Sequence, residues 1–303
     1  LIGAVVGGPI GAAIGGAIGG LVNRTFGMGA KTVQSSGMRG TFNESGFSGE
    51  NYANMQQKGG FFRSNRNWTE VTALAAGVAD AMSESFMGTK VAVAQVALSL
   101  GLGIDGIVSY SKTIDLAAGT TQEAITKMFV GMADDMANAV APGLDAMALK
   151  GETASVTLSR LGTALTTANA WLSLLNQRLF QISLSGGNAA SKLAEAFGGL
   201  ENLTTASKSF YETYYTEGER AARSQQDMTT ALKLVNLALP VSMDALRELA
   251  GTLDLNTAAG RQAYAVLLTI APEFANTAAA LEKLAAQTAV NLIRTFTGNG
   301  ALV

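Results

Sequence analysis

Any acid–base or metal chemistry in this sequence has to rest on carboxylates and lysines, because it contains no histidine and no cysteine. That removes the commonest general base, the serine–histidine–aspartate triad and nearly every zinc site. The only adjacent acid pair is Asp134-Asp135. Neighbouring residues on a helix point about 100° apart, so the pair does not converge on one metal and reads as an exposed helix face. Glu212, Glu217 and Glu219 stand among Tyr211, Tyr214 and Tyr215, a composition that suits a sugar-binding cleft. Glycoside cleavage needs two carboxylates at a fixed gap, and nothing identifies the second. Gly101-Leu102-Gly103, Gly186-Gly187 and Gly198-Gly199 lack the lysine and hydroxyl that complete a phosphate loop. Lys58, Phe61, Phe62 and Arg63 form a basic–aromatic turn around Gly59-Gly60 that could touch a phosphate, a headgroup or a partner; the plainer reading is a hairpin tip with its aromatics packed inward. No catalytic residue, metal site or cofactor is expected, and we expect no enzyme.

Composition narrows the class further. Of 303 residues, 48% are hydrophobic and 15% charged, with 35 glycines. Charged residues make up about a quarter of an ordinary domain, so the surface is either under-charged or covered. A net charge of −2 leaves no electrostatic footprint for nucleic acid, and no sequence-specific nucleic-acid partner is expected. The chain opens on leucine, which suggests a piece of a longer or processed product. The opening run has no basic n-region and is too long and glycine-rich for a signal peptide.

That run is LIGAVVGGPIGAAIGGAIGGLV. Gly3, Gly7, Gly11, Gly15 and Gly19 recur every fourth residue and would draw one stripe down a helix, letting another backbone approach closely. Ile10, Ile14 and Ile18 stand on the remaining surface. As a helix the run would extend about 33 Å, near the thickness of a bilayer's hydrocarbon core, with Pro9 kinking or ending it. Glycine costs about 1 kcal/mol per residue inside a helix, so such a helix needs neighbours. The expectation is a self-associating, membrane-competent helix over 1–24; simple packing or a linker is the plainer alternative.

The remainder reads as mainly α: helical, bundle-like segments with a small α+β unit. Residues 25–66 have no helical period and predict extended chain or a β-hairpin, with turns at Ser36-Gly37 and Gly59-Gly60. A small α+β unit is expected over 67–143. Asn67-Trp68-Thr69-Glu70 has capping-box spacing before a helix through Ser85. A second helix follows over 91–100, then a strand through Val108, Tyr110, Ile114 and Leu116. Thr120 to Glu123 repeats the capping-box spacing before a helix carrying Ile125, Phe129, Met132 and Met136 that stops at Pro142-Gly143. A helical region fills 144–303: helices over 153–176, 189–197 and 206–237, the last with a Glu219–Arg223 pair, an extended stretch at Phe180–Leu184, a helix capped by Ser242, one begun by Asn256 or Thr257, and a last one opened by Pro272.

Several stretches together resemble one family. GPIGAAIGGAIGGLVNR at 8–24 is similar to the Gly-Ala apolar run of tail tape measure proteins from long-tailed (siphovirus-type) bacteriophages. The turn at Lys58–Phe62 with Trp68-Thr69, LSGGNAA at 184–190, FGGL at 197–200, YETYYTEGER at 211–220 and LDLNTAAGRQAY at 253–264 belong to the same set, in order, over most of the chain. The resemblance implies the C-terminal part of a structural virion protein, in three copies, inside the viral tail tube near the tip. It also implies contact with tube and tail-tip or baseplate hub proteins, and release at infection to help DNA ejection across the host inner membrane. The alternative is a secreted glycine-zipper pore-forming toxin, which needs a second spanning helix; residues 92–102 and 171–175 are too short to supply it. If the glycine stripe is an association face, replacing Gly11, Gly15 and Gly19 together by leucine lowers the assembly mass in sedimentation velocity while circular dichroism of the rest is unchanged. An unaltered oligomer would exclude that face.

Overall fold

The structure, a computed structural model, describes residues 31–58, 64–75 and 77–298. The expected glycine-striped helix over 1–24 lies outside them. The protein is mainly α with a small four-stranded antiparallel sheet. It divides into two compact units: the described residues up to Ser173 with Arg178–Thr204, and Leu174–Gln177 with Thr205 onward.

The first described elements of the first unit form the sheet, in the order β3-β2-β1-β4. A long hairpin joins β1 (Lys31–Asn43) to β2 (Gly46–Gln57). Its turn is at Glu44-Ser45, where the Asn43 side chain accepts from the Ser45 amide at 2.8 Å and Gly46 takes a φ of 107°. The turn expected at Ser36-Gly37 is instead strand: both residues lie inside β1, paired with Ala53 and Tyr52. Gly40 and Gly49 face each other across the hairpin, and the Phe47 ring lies over both, so a Cβ at either position would strike it.

The residues expected to cap a helix, Asn67 to Glu70, belong to β3 (Arg66–Ala73). The sequence there is rich in tryptophan, threonine and valine, which fit a pleated surface, and β2 supplies a partner strand. Glu70 does not reach back to cap; it accepts from the Trp68 indole at 3.0 Å. The helix α1 runs unbroken over Val78–Ser99, behind a left-handed Gly77. Val78, Met82, Phe86, Val93 and Ala97 are all buried along it, so its apolar face passes Gly88 without a change of phase and one helix replaces the two expected. A single turn α2 (Asp105–Val108) precedes β4 (Lys112–Ala117), shortening the expected strand at its start. The helix α3 (Gln122–Val140) is capped by Thr121, whose hydroxyl accepts from Ala124. After a 3₁₀ turn (Leu144–Met147) come α4 (Ala154–Leu174) and α5 (Leu184–Ala196), the latter capped by Ser183 and beginning earlier than its periodicity suggests.

Phe42, Phe47, Phe86 and Phe129 cluster where α1 and α3 meet the sheet. The same buried core continues through Leu158, Leu161 and Leu165 of α4 to Ala190, Ala194 and Leu203. The expected boundary between 143 and 144 falls inside this core.

α6 (Leu200–Tyr214) leads into the second unit, followed by α7 (Glu217–Lys233), α8 (Met243–Thr252) and α9 (Ala258–Gly298). The single helix expected over 206–237 is broken at Thr216, which forms a complete capping box with Glu219. Glu219 is thereby taken from the expected pairing with Arg223, which instead lies 3.5 Å from Asp227. Met228 and Leu232 of α7 pack with Leu267, Ile270 and Phe274 of α9. That stripe crosses Pro272 in phase, so α9 is one helix rather than two. Proline removes a ladder hydrogen bond and crowds the carbonyl four residues back, which is that of Leu268, on the exposed side. Proline inside a helix costs about 3 kcal/mol. Pro272→Ala should therefore raise the melting temperature of the second unit by several degrees in calorimetry, and a lowered one would mean that the proline is structurally required.

Candidate functional site

Of the residues expected to associate or to contact a partner, the structure describes Lys58 alone. Gly3, Gly7, Gly11, Gly15, Gly19, Ile10, Ile14, Ile18, Phe61, Phe62 and Arg63 lie outside the described residues, and Lys58 follows β2 as an exposed residue. Two other places gather polar groups.

The first is the acid pair on α3. Asp134 and Asp135 do not form an idle exposed face. Asp134 accepts from the Ser155 amide at 2.8 Å, holding the start of α4, while Asp135 accepts from Lys112 at 2.7 Å and Tyr110 at 2.8 Å, holding β4 and its lead-in. The Lys112 hydrogen bond is the largest influence keeping the Asp135 carboxyl below its ordinary range. Burial, then the bond to Asp135, pushes the Tyr110 phenol well above its own. Nearby, Glu152 grips the Arg160 guanidinium through both oxygens at 2.7 and 2.9 Å. Arg160 also donates to Ser191 and to the Met147 carbonyl, both at 2.6 Å, so one cation ties α4 to α5 and to the 3₁₀ turn. Arg160 in turn holds Glu152 below the ordinary carboxylate range.

The second is a groove of about 660 Å³ between α7 and α9 in the second unit. The capping box at Thr216 sets the phase of α7, so that Glu217, Arg220, Ser224 and Asp227 face Glu273 and Thr277 of α9. A hydroxyl relay crosses it: Thr277 donates to Ser224 at 2.8 Å, and Ser224 donates to Glu273 at 2.9 Å. Lys283 pairs with Glu217 at 3.0 Å and Arg223 lies beside Asp227. Tyr211 lines the same groove, its phenol raised chiefly by burial.

The acids that suggested a sugar cleft are dispersed by this arrangement. Glu212 reaches towards Lys208 at 3.9 Å, Glu217 is held by Lys283, and Glu219 caps its own helix. Among the described residues no group of three acids converges as metal ligands would. Sequence reasoning overlooked the Thr216–Glu219 box, whose threonine-to-glutamate spacing was the available signal. The relay carried none, because its partners are 49 and 53 residues apart.

Comparison with known proteins finds no family model that matches the chain, no curated protein that matches it, and no matching solved structure.

These pairings fix a pH dependence. Asp135 and Glu152 titrate lower when folded than their ordinary values of about 4. Their stabilisation is complete above that range and is lost as pH falls through the lowered folded-state values. Acid unfolding followed by circular dichroism should show this loss below about pH 4. Asp135→Asn and Glu152→Gln should each flatten the acid limb and lower the neutral-pH plateau; an unchanged limb in both would remove these carboxylates as its cause.

Proposed function

We propose that the chain is the C-terminal part of a tail tape measure protein from a long-tailed phage. In this reading it is a structural component held in the tail tube near the tip, and it is released at infection to help DNA cross the host inner membrane. The observation that carries the reading is the open apolar length of α9. Its Ala258–Val290 segment is long and apolar enough to cross a membrane by length and composition, and 22% of its most apolar stretch is buried. Burying apolar area is worth about 25 cal/mol per Å², so the exposed Leu268, Val290 and alanines of this helix gain from a cover. A tube lumen, sister chains in a trimer, or the membrane itself would each provide one. The low charge of the sequence fits the same enclosure. The glycine-striped helix at Gly3 to Gly19 and the bundle-like association of the helical segments belong to this proposal. So do contact through Lys58, Phe61, Phe62 and Arg63 with tube, tail-tip or baseplate hub proteins, and a purely structural, non-enzymatic role.

α9 also favours a second reading. A glycine-zipper pore-forming toxin needs a second helix of spanning length, and the sequence offered only short candidates; α9, continuous through Pro272, is long enough. Purified full chain added to dye-loaded vesicles of bacterial lipid separates the two. The tail protein should release no dye without a virion, and density of intact tails should contain the chain at the tip. Leakage by the protein alone, with tails lacking it, would overturn the first reading in favour of the second.

A further inference from the structure

β3 is the outer strand of the sheet, paired with β2 on one side and, among the described residues, with nothing on the other. It is eight residues long, contains no proline, and pairs with β2 without a bulge. Natural edge strands are guarded against pairing with another chain by proline, bulges or charge; of these β3 carries charge alone, at Arg66 and Glu70. The register puts Arg66, Trp68 and Glu70 on the face that also carries the buried Ala53 and Met38. Beyond the helix-covered part of that face, Val33, Met55 and Trp68 form one cross-strand row, with Val33 39% exposed. The Arg66 guanidinium lies 5.7 Å from the Trp68 ring centre, and Glu70 accepts the indole hydrogen. Neither charge has an ion-pair partner among the described residues.

We propose that β3 is a self-association edge, pairing antiparallel with β3 of a second copy about a twofold axis through Trp68. In that register Arg66 lies opposite Glu70 of the second copy and Glu70 opposite its Arg66. Trp68 meets Trp68, and Asn67 meets Thr69. Opposite charges and aromatic rings directly across an antiparallel pair are the favourable combinations. A slip of two residues in either direction loses both ion pairs, so the charges select one register. The axis is normal to the sheet, so the two apolar rows join into one strip on the same face, and an eight-stranded sheet results. The patch is self-complementary, as an isologous interface requires. A twofold pair cannot close a ring of three. In a threefold assembly it would join two such rings, and the contact does not depend on the tail assignment.

The test uses full-length chain in sedimentation velocity, with circular dichroism as the check on folding. Glu70→Arg makes both facing pairs repulsive, and Arg66→Glu does the same with the opposite sign. Each variant alone should show half the assembly mass of the wild type. An equimolar mixture should regain the full mass, because each mixed pair again carries two opposite-charge contacts. Monomeric wild type, a mass unchanged by either reversal, or a mixture that stays at half mass would overturn the proposal. If a reversal unfolds the chain, Asn67→Cys with Thr69→Cys replaces it, since the natural sequence has no cysteine to compete. Mild oxidation should then give a covalent dimer, and a chain that stays monomeric under oxidation overturns the proposal equally.

Discussion

Phe42 sits at the turn end of β1 with the rings of Phe47, Phe86 and Phe129 at centroid distances of 4.6, 4.9 and 5.7 Å. Those rings come from two strands and two helices, so a single cluster fixes both the hairpin and the way α1 and α3 lie on it. Aromatic side chains bury a large area each and stack with preferred geometry, which a low-charge chain can use where salt bridges are scarce. The cluster also sets a limit. It covers the turn end of the hairpin, and the sheet runs on towards Lys31, Gln57 and Arg66 with its last rows exposed or half-buried. The edge at β3, unpaired among the described residues, comes from its outermost place in the strand order.

With few charges available, this protein places them at joints. Arg160 and Glu152 are 19% and 14% exposed and hold three elements together. Asp134 and Asp135, adjacent in sequence and pointing apart, anchor α4 and β4 separately. Lys90 is buried along α1 and donates to the Val108 carbonyl at 2.7 Å, ending α2, with its ammonium held below the usual range by burial. A carboxylate engaged by two or three donors is a poor general base, because each bond favours the ionised form. The same commitments that hold the elements in place favour the ionised forms of Asp135 and Glu152.

Legibility in the sequence followed the kind of force involved. The face of α3, the length of α4 and the Ser242 cap of α8 were readable because periodicity and capping are local. Misreadings occurred where a distant partner overrode a local signal. Asn67 to Glu70 has the spacing of a cap and becomes a strand because β2 lies beside it. Pro272 looks like a helix start and is carried through because Leu267, Ile270 and Phe274 keep one packed stripe across it. Thr216 is the converse: the local box was present, but the apolar period on either side masked the break. Of the candidate sites, the acid pair was visible as residues and invisible as function, since its partners at Lys112, Tyr110 and Ser155 are set by topology.

The tail and toxin readings share one physical premise, and α9 shows why they are hard to tell apart by sequence. A helix that keeps a core stripe on one side and, on the other, exposes Leu268, Val290 and several alanines among polar residues such as Gln262, Asn276 and Gln287 is stable against its own unit and still open. A protein lumen satisfies that surface by contact and a bilayer satisfies it by partition, and both reward the same composition. They differ in what happens to Glu273 and Lys283. In a lumen these can keep the Ser224 and Glu217 partners of the α7–α9 seam. Within a bilayer they must leave with α7 or be neutralised, because an unpaired charge in hydrocarbon is expensive. In either reading the Ser224–Glu273 and Glu217–Lys283 contacts of the seam would have to break before α9 could leave α7, and the toxin reading requires that they break without a virion.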